Sequence, residues 1–239
     1  MSELPLTPPP PPPPPPAAPA PLARFDFAAP FTYVFEDPRW LQKVLIGGLF
    51  YLAGFMLIGW VFLLGYMARV TRNVIAGNPR PLPEWDDLGD YFSEGLRLFG
   101  VLFIFVLPVI VVAIFLGIPA ALLSAVEREG VQTVGGIFAG CMSCLIVPIA
   151  LAVTFIVPAS LLFAVVEQRF GAAFEFGRIW SFIKLNIGNY LLAIVIYFIA
   201  RFLGGFGVIL FCIGVIFTGF WSLLITSHAF GQVYRFRRA

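Results

Sequence analysis

The sequence has little charge and few of the side chains that most enzymes use. Charged residues make up 12% of the chain, and there are one histidine and three cysteines. Hydrophobic residues make up 60%, including 27 phenylalanines. A soluble protein of this composition would expose apolar patches far larger than water tolerates. The composition therefore predicts an integral membrane protein whose main surroundings are the lipid bilayer.

The scarcity of polar side chains also excludes several function classes. The net charge is +2 with no long run of lysine or arginine, so we expect no nucleic acid as a partner. Cys141 and Cys144 have the spacing of a redox pair, but they stand in an apolar stretch that favours packing. His228 has no cysteine or carboxylate beside it, and no nucleotide-binding glycine pattern occurs. We predict no catalytic residue, no cofactor and no metal ion, and thus not an enzyme.

The first 24 residues form a separate region. They contain nine consecutive prolines, from Pro8 to Pro16. Such a run adopts an extended polyproline II rod and cannot bury a core. Residues 1–24 are therefore predicted to be a disordered proline-rich tail, which serves either as a spacer or as a docking peptide. The tail lacks the basic start and apolar core of a signal peptide.

The remaining residues, 25–239, are predicted to form one all-α transmembrane domain. A helix needs about 20 apolar residues to cross the hydrocarbon of a bilayer. The apolar blocks predict about five spans, with Gly204 and Gly205 as the turn between the last two. The predicted spans are 44–66, 98–126, 134–166, 187–203 and 207–227.

The positions of basic residues predict the orientation. With five spans, the segments 67–97, 167–186 and 228–239 share one side and hold most of the arginines. Because basic loops stay in the cytoplasm, these segments and the C-terminus are expected there, with the proline-rich tail outside. A four-span arrangement, with 187–230 partly re-entrant, would place one terminus on the other side.

The loop after the first span is predicted to contain an amphipathic helix on the membrane surface. Pro83 is suited to the first position of a helix, and acidic residues follow it in the first turn. The apolar face consists of Trp85, Leu88, Phe92, Leu96 and Phe99. The opposite face is acidic, and it is either an interaction face or a solvated surface with charge pairs. It consists of Asp86, Asp87, Asp90 and Glu94.

A second amphipathic stretch, 172–190, precedes the fourth span. Its predicted apolar face is Phe176, Ile179, Trp180 and Ile183, with Arg178 and Lys184 pointing outward. The two amphipathic stretches share glycine and serine positions, which raises the alternatives of an internal repeat or a coincidence. A repeat with proline-broken spans would favour a transporter-like cavity.

Arg201 is the one charged residue in the apolar block 187–230. If Gly204 and Gly205 form the turn, its side chain can reach the lipid headgroups from the end of the helix. The alternative is a functional cation at membrane depth. Arg201 is thus a candidate intramembrane charge.

Several short motifs resemble a known family. They include Asp37-Pro38-Arg39-Trp40, Leu82-Pro83-Glu84-Trp85 and the closing Gly231-Gln232-Val233-Tyr234-Arg235. Together they resemble the membrane protein family DUF4013, a domain of unknown function, over about residues 31–235. The resemblance implies a multi-pass protein of the prokaryotic cytoplasmic membrane, and it implies no activity or ligand.

Two functional hypotheses follow from these patterns. The first is a non-enzymatic interaction or organising module, with the lipid bilayer and other membrane or cytoplasmic proteins as partners. The second is a small-molecule or ion transporter, suggested by the prolines within the spans and by Arg201. A polar, charged cavity favours the transporter, whereas a bundle filled by aliphatic and aromatic side chains counts against it.

Overall fold

A computed structural model describes residues 25–126, 129–209 and 213–237. In this part of the chain all regular structure is helical, which confirms the all-α class. The predicted proline-rich tail lies outside the described residues. The α-helices are α1 Ala29–Thr32, α2 Trp40–Leu52, α3 Ile58–Ala76, α4 Leu88–Ser124, α5 Glu129–Glu167, α6 Phe176–Leu185, α7 Ile187–Gly205 and α8 Ile213–Arg235.

Four helical segments of the described chain are long and apolar enough to cross a membrane. They are Leu88–Leu123, Gly130–Glu167, Ile187–Ile209 and Gly214–Arg235. Each of them overlaps one of the predicted spans 98–126, 134–166, 187–203 and 207–227. The architecture is a polytopic membrane helix bundle, as the composition predicted.

The expected first span, 44–66, is divided into two helices. Helix α2 ends at Leu52, a 3₁₀ turn covers Ala53–Met56, and α3 begins at Ile58. Leu57 adopts a positive φ of 59°, which reverses the chain. Gly59 allows the start of α3 to lie close against the end of α2, because a Cβ atom at this position would lie 2.2 Å from the Phe50 carbonyl oxygen. With 13 residues, α2 is about 20 Å long and too short to cross about 30 Å of hydrocarbon.

The α2–α3 hairpin packs against α8 through glycines. A Cβ atom at Gly47 would lie 2.2 Å from the Phe220 ring, and one at Gly219 would lie 2.5 Å from the Tyr51 ring. Bare glycine surfaces let the helices approach closely enough for the aromatic rings to fill the contact. Phe55 at the hairpin tip is 92% exposed, so the tip is free of the bundle.

Helix α4 begins at Leu88, not at Pro83 as predicted. The Asp87 side chain accepts a hydrogen bond of 3.2 Å from the Asp90 amide and so caps the helix. The helix then continues without a break to Ser124, so the acidic segment is the first turns of a span-length helix.

The buried face of α4 also differs from the predicted one. Tyr91 and Leu98 are buried against α3 and α5, whereas Leu88, Phe92 and Leu96 are exposed. Gly95 allows this orientation, because α3 passes so close to α4 that a Cβ atom at Gly95 would lie 1.7 Å from the Val61 carbonyl oxygen. The side chains beside Gly95 on the helix therefore face the protein, and the predicted apolar face is turned outward.

Helix α6 confirms the second amphipathic segment. Ile179 and Ile183 are buried, and Arg178 and Lys184 are exposed as predicted. Phe176 and Trp180, which were expected on the buried face, are about half exposed.

Candidate functional site

Most polar side chains of the described chain lie at one end of the bundle. We call residues 25–43, 69–97, 167–186 and 227–237 the polar end. Long-range contacts join its four segments: Asp26 meets Gln232, Lys43 meets Leu82, and the Phe182 ring lies 5.9 Å from that of Tyr234. The N-terminal segment, the loop before α4, helix α6 and the end of α8 therefore form one surface.

A buried lysine stands at the centre of this surface. The Lys43 ammonium lies 2.6 Å from a carboxylate oxygen of Asp37 and 2.7 Å from one of Glu84. It also donates a 3.0 Å hydrogen bond to the Leu82 carbonyl. The Lys43 and Asp37 side chains are only 4% and 7% exposed, so this pair is shielded from water. Lys43 thereby joins the N-terminal segment to the loop before α4.

The charge state of Asp37 follows from these contacts. Burial alone raises the pKa of a carboxyl group, because it disfavours the charged form. Hydrogen bonds from the Lys43 ammonium and the Arg39 amide, together with the charges of both side chains, outweigh burial and hold the pKa of Asp37 below its usual value. Asp37 is therefore ionised at neutral pH.

The indole of Trp85 fixes the loop before α4 from the other side. It stacks on Tyr66 with ring centroids 4.1 Å apart, and its N–H donates to the Lys43 carbonyl at 3.0 Å. The Tyr66 hydroxyl donates to the Pro83 carbonyl at 2.9 Å. The predicted surface residue Trp85 is thus a structural anchor, and it holds the chain just before the acidic residues in one position.

The predicted acidic face is divided by the fold. Asp86, Asp87 and Asp90 are exposed at the start of α4. Glu94 is instead half-buried and forms a two-pronged ion pair with Arg72 of α3. The exposed acidic patch therefore consists of three aspartates, and Glu94 ties α4 to α3.

The N-terminal segment is held on α8 by an amide side chain. The Gln232 side chain accepts a hydrogen bond from the Asp26 amide at 2.7 Å and donates one to its carbonyl at 3.0 Å. Tyr33 stacks on His228 with ring centroids 4.3 Å apart, and its hydroxyl donates to the Leu224 carbonyl. These contacts place residue 25, where the proline-rich tail joins, beside the end of α8.

A second charged cluster links the end of α5 to α6. Arg178 lies 2.6 Å from Glu167 and also pairs with Glu175, while Arg169 contacts both carboxylates. The hydrogen bonds that the guanidinium groups donate to Glu167 and then to Glu175 raise the pKa of both arginines. Both arginines are exposed, and pairs of this kind add little stability. Their role here is to orient α6.

The basic residues of the described chain are concentrated at the polar end. Of the lysines and arginines whose structure is described, all but Arg201 lie in the polar end. They are Arg39, Lys43, Arg69, Arg72, Arg80, Arg97, Arg169, Arg178, Lys184, Arg235 and Arg237.

A cavity of about 380 Å³ lies between α3, α4, α5, α7 and α8. Its walls are mainly leucine and valine side chains, with Arg201 and Tyr197 contributed by α7. Arg201 is exposed and forms no ion pair within the described residues. The candidate intramembrane charge thus borders an apolar cavity.

Among the described residues, no group of three histidine, cysteine or carboxylate side chains could hold a metal ion. Cys141 and Cys144 are exposed and unpaired. A ring nitrogen of His228 lies 3.2 Å from the Gln232 amide nitrogen.

The pattern of the family described as "Protein of unknown function (DUF4013)" matches residues 48–226. The chain belongs to this family. No match was found among curated proteins or among solved structures.

The match begins within α2 and ends in α8. The DUF4013 region therefore contains the α2–α3 turn, the acidic patch, α6 and Arg201. Asp37 and Lys43 precede the matched range, and Gln232 follows it. These three residues hold the N-terminal segment to the bundle. The resemblance expected over residues 31–235 is confirmed for this shorter range.

The polar contacts that organise this end are hard to predict from the sequence. The partners of Lys43 and Gln232, namely Leu82 and Asp26, are distant in the sequence. The available signal was the pair of motifs around Asp37 and Trp85, in which polar and aromatic residues alternate beside apolar blocks.

Proposed function

We propose that this protein is a non-enzymatic interaction module of the prokaryotic cytoplasmic membrane and that its polar end binds other proteins in the cytoplasm. The observation that carries the proposal is the fixed presentation of Asp86, Asp87 and Asp90. The loop that precedes them is anchored by buried Lys43 and by Trp85. A surface held in one conformation loses little entropy on binding, which favours a protein partner.

The distribution of basic residues supports the cytoplasmic orientation. Lysine and arginine near span ends remain on the cytoplasmic side. With the N-terminal segment held on the end of α8, the proline-rich tail would also start on that side. This differs from the expectation of an external tail.

The proposal is tested by crosslinking in native membranes. The triple variant Asp86→Asn, Asp87→Asn, Asp90→Asn removes the negative charges, and asparagine at position 87 can still cap α4. A specific crosslinked protein partner should be obtained with the wild type and lost with the triple variant. Glu36→Gln, an exposed carboxylate of the polar end outside the patch, should retain it. Identical crosslinks in all three proteins, or none, would contradict the proposal.

The transporter alternative rests on the cavity beside Arg201. Apart from Arg201, the cavity is lined by uncharged and mainly apolar side chains, which is poorly suited to a hydrated ion. An assay of solute uptake into proteoliposomes separates the two functions. Uptake that depends on Arg201 would favour the transporter.

A further inference from the structure

The cavity between the helices has no assigned occupant. Its volume, about 380 Å³, is within the range of ordinary ligand sites. Four of its five bordering helices belong to the span-length group, so it lies among helices that face hydrocarbon. The apolar walls include Leu64, Leu98, Leu102, Val157 and Leu162. Such walls suit a hydrocarbon chain.

Three of the five hydroxyl groups that line the cavity bond to the backbone. The Thr71 hydroxyl donates to the Ser227 carbonyl, and the Thr226 and Ser227 hydroxyls donate to backbone carbonyls of their own helix. These three donors are satisfied and call for no polar ligand, and the other two, Thr154 and Tyr197, stand among mainly apolar side chains.

Arg201 adds a single positive charge to this apolar site. It is the one basic residue among the cavity-lining side chains, and within the described chain no carboxylate pairs with it. An arginine in a span requires an anion or a route to the headgroups. The carboxylates whose side chains the structure describes lie at the polar end, apart from this segment of α7. An anionic lipid of the surrounding bilayer can supply the counter-ion.

We propose that the cavity binds one acyl chain of an anionic phospholipid and that the lipid phosphate pairs with Arg201. The guanidinium group matches phosphate geometry with two parallel hydrogen bonds. The lipid would thus be held by its charge and by its chain together. This site is separate from the acidic patch, so it does not depend on the proposed protein interaction.

Trp60 provides a probe, because it lines the same cavity. The full-length protein is placed in nanodiscs that contain phosphatidylglycerol or phosphatidylcholine with brominated chains, which quench nearby indoles. The Trp60 signal is the difference between the wild type and Trp60→Phe. Brominated phosphatidylglycerol should quench Trp60 at a lower lipid fraction than brominated phosphatidylcholine does.

Two kinds of variant test the headgroup contact and the acyl-chain contact separately. Arg201→Gln should weaken the apparent affinity for phosphatidylglycerol about tenfold, the size of one charge-assisted contact, and Arg201→Lys should weaken it less. Thr154→Phe fills the cavity from α5 and should abolish the preferential quenching of Trp60. Val106→Phe on α4 is the second filling variant, used if Thr154→Phe does not elute as a folded protein.

Equal quenching by both lipids in the wild type would overturn the proposal. So would an effect of Arg201→Gln with no effect of a folded filling variant, because the lipid would then bind at the surface alone. Loss of preference with both kinds of variant is the expected result.

Discussion

Helices α8 and α4 are both long and apolar enough to cross a membrane, but α8 is mostly buried within the protein and α4 is mostly exposed. In the most apolar part of α8, 67% of the residues are buried within the protein, whereas the figure for α4 is 6%. Helix α8 is enclosed by α2, α3 and α7, and glycines let these helices approach it closely. Beyond Leu98, α4 exposes side chains such as Phe115, which is 76% exposed.

The two helices therefore differ in how strongly the fold depends on their individual side chains. Lipid tails are as apolar as leucine, so the exposed face of α4 gains little from the choice among apolar side chains. Around α8 and the polar end, many side chains have defined partners, such as Gln232 with Asp26 and Lys43 with Asp37. Substitutions should therefore be costly in that region and mild on the exposed part of α4.

The largest effect is expected for the buried ion pair. Asp37→Ala removes one carboxylate from Lys43, which is 3% exposed, and leaves a buried charge with fewer partners. Breaking such a pair costs about 3–5 kcal/mol. Thermal unfolding of the detergent-solubilised protein, followed by circular dichroism, measures the loss.

The matched control is the double variant Asp37→Leu, Lys43→Met. It removes both charges and should be more stable than Asp37→Ala. A double variant that is as unstable as the single one would show that packing, not charge pairing, sets the cost.

The next effect is expected for a pair of glycines on α4. Gly95→Ala brings a Cβ atom against the backbone of α3 and should cost roughly 2–3 kcal/mol through overpacking. Gly117→Ala meets no atom within 4 Å and should leave stability unchanged or raise it by up to about 1 kcal/mol. Unfolding temperatures of the two variants compare the protein-packed and exposed parts of one helix. Equal effects would contradict the comparison.

A smaller effect is expected where the N-terminal segment meets α8. Gln232→Leu removes two hydrogen bonds to the backbone of Asp26, which should cost about 1–2 kcal/mol. Hydrogen–deuterium exchange should accelerate at residues 28–36 and stay unchanged in α4. Gln232→Glu keeps the acceptor for the Asp26 amide and should show an intermediate exchange rate.

The smallest effect is expected for the pH dependence of the stability that Asp37 contributes at the polar end. The pKa of Asp37 is lowered in the folded protein, so its stabilising contribution is complete above its unfolded value, about 3.9. That contribution is lost as pH falls through the folded pKa. The difference in unfolding temperature between wild type and Asp37→Asn should therefore be constant from pH 7 to pH 5 and shrink in more acidic buffer. If the difference in unfolding temperature instead grows as the pH falls, the pKa of Asp37 is not lowered by folding.

The sequence predicted the helices that face lipid and missed a turn within an apolar run. Residues 44–66 contain no charge, so hydropathy alone does not distinguish one long span from a hairpin. The reversal depends on a positive φ at Leu57 and on close contacts at Gly59 and Gly47, which arise from tertiary packing.

Only part of the candidate site can be predicted from the sequence, because its contacts also arise from tertiary packing. The sequence shows the acidic residues as a cluster, but Pro83 and the acidic residues after it predict a helix start at Pro83. Trp85 then falls on the apolar face of that predicted helix. Its partners, Tyr66 and the Lys43 carbonyl, are distant in sequence. Arg201 was singled out because it was the only charge in its block, whereas the cavity beside it requires the packing of five helices.

The N-terminal segment, the loop before α4 and the end of α8 are expected to share one side of the membrane. A membrane-impermeant thiol reagent tests this with single cysteines at Thr32, Asn78 and Val208, in a background with the three native cysteines replaced by alanine. We expect Thr32→Cys and Asn78→Cys to be labelled from the same side and Val208→Cys from the other. Labelling of Thr32→Cys and Asn78→Cys from opposite sides would contradict it and would restore a complete first span.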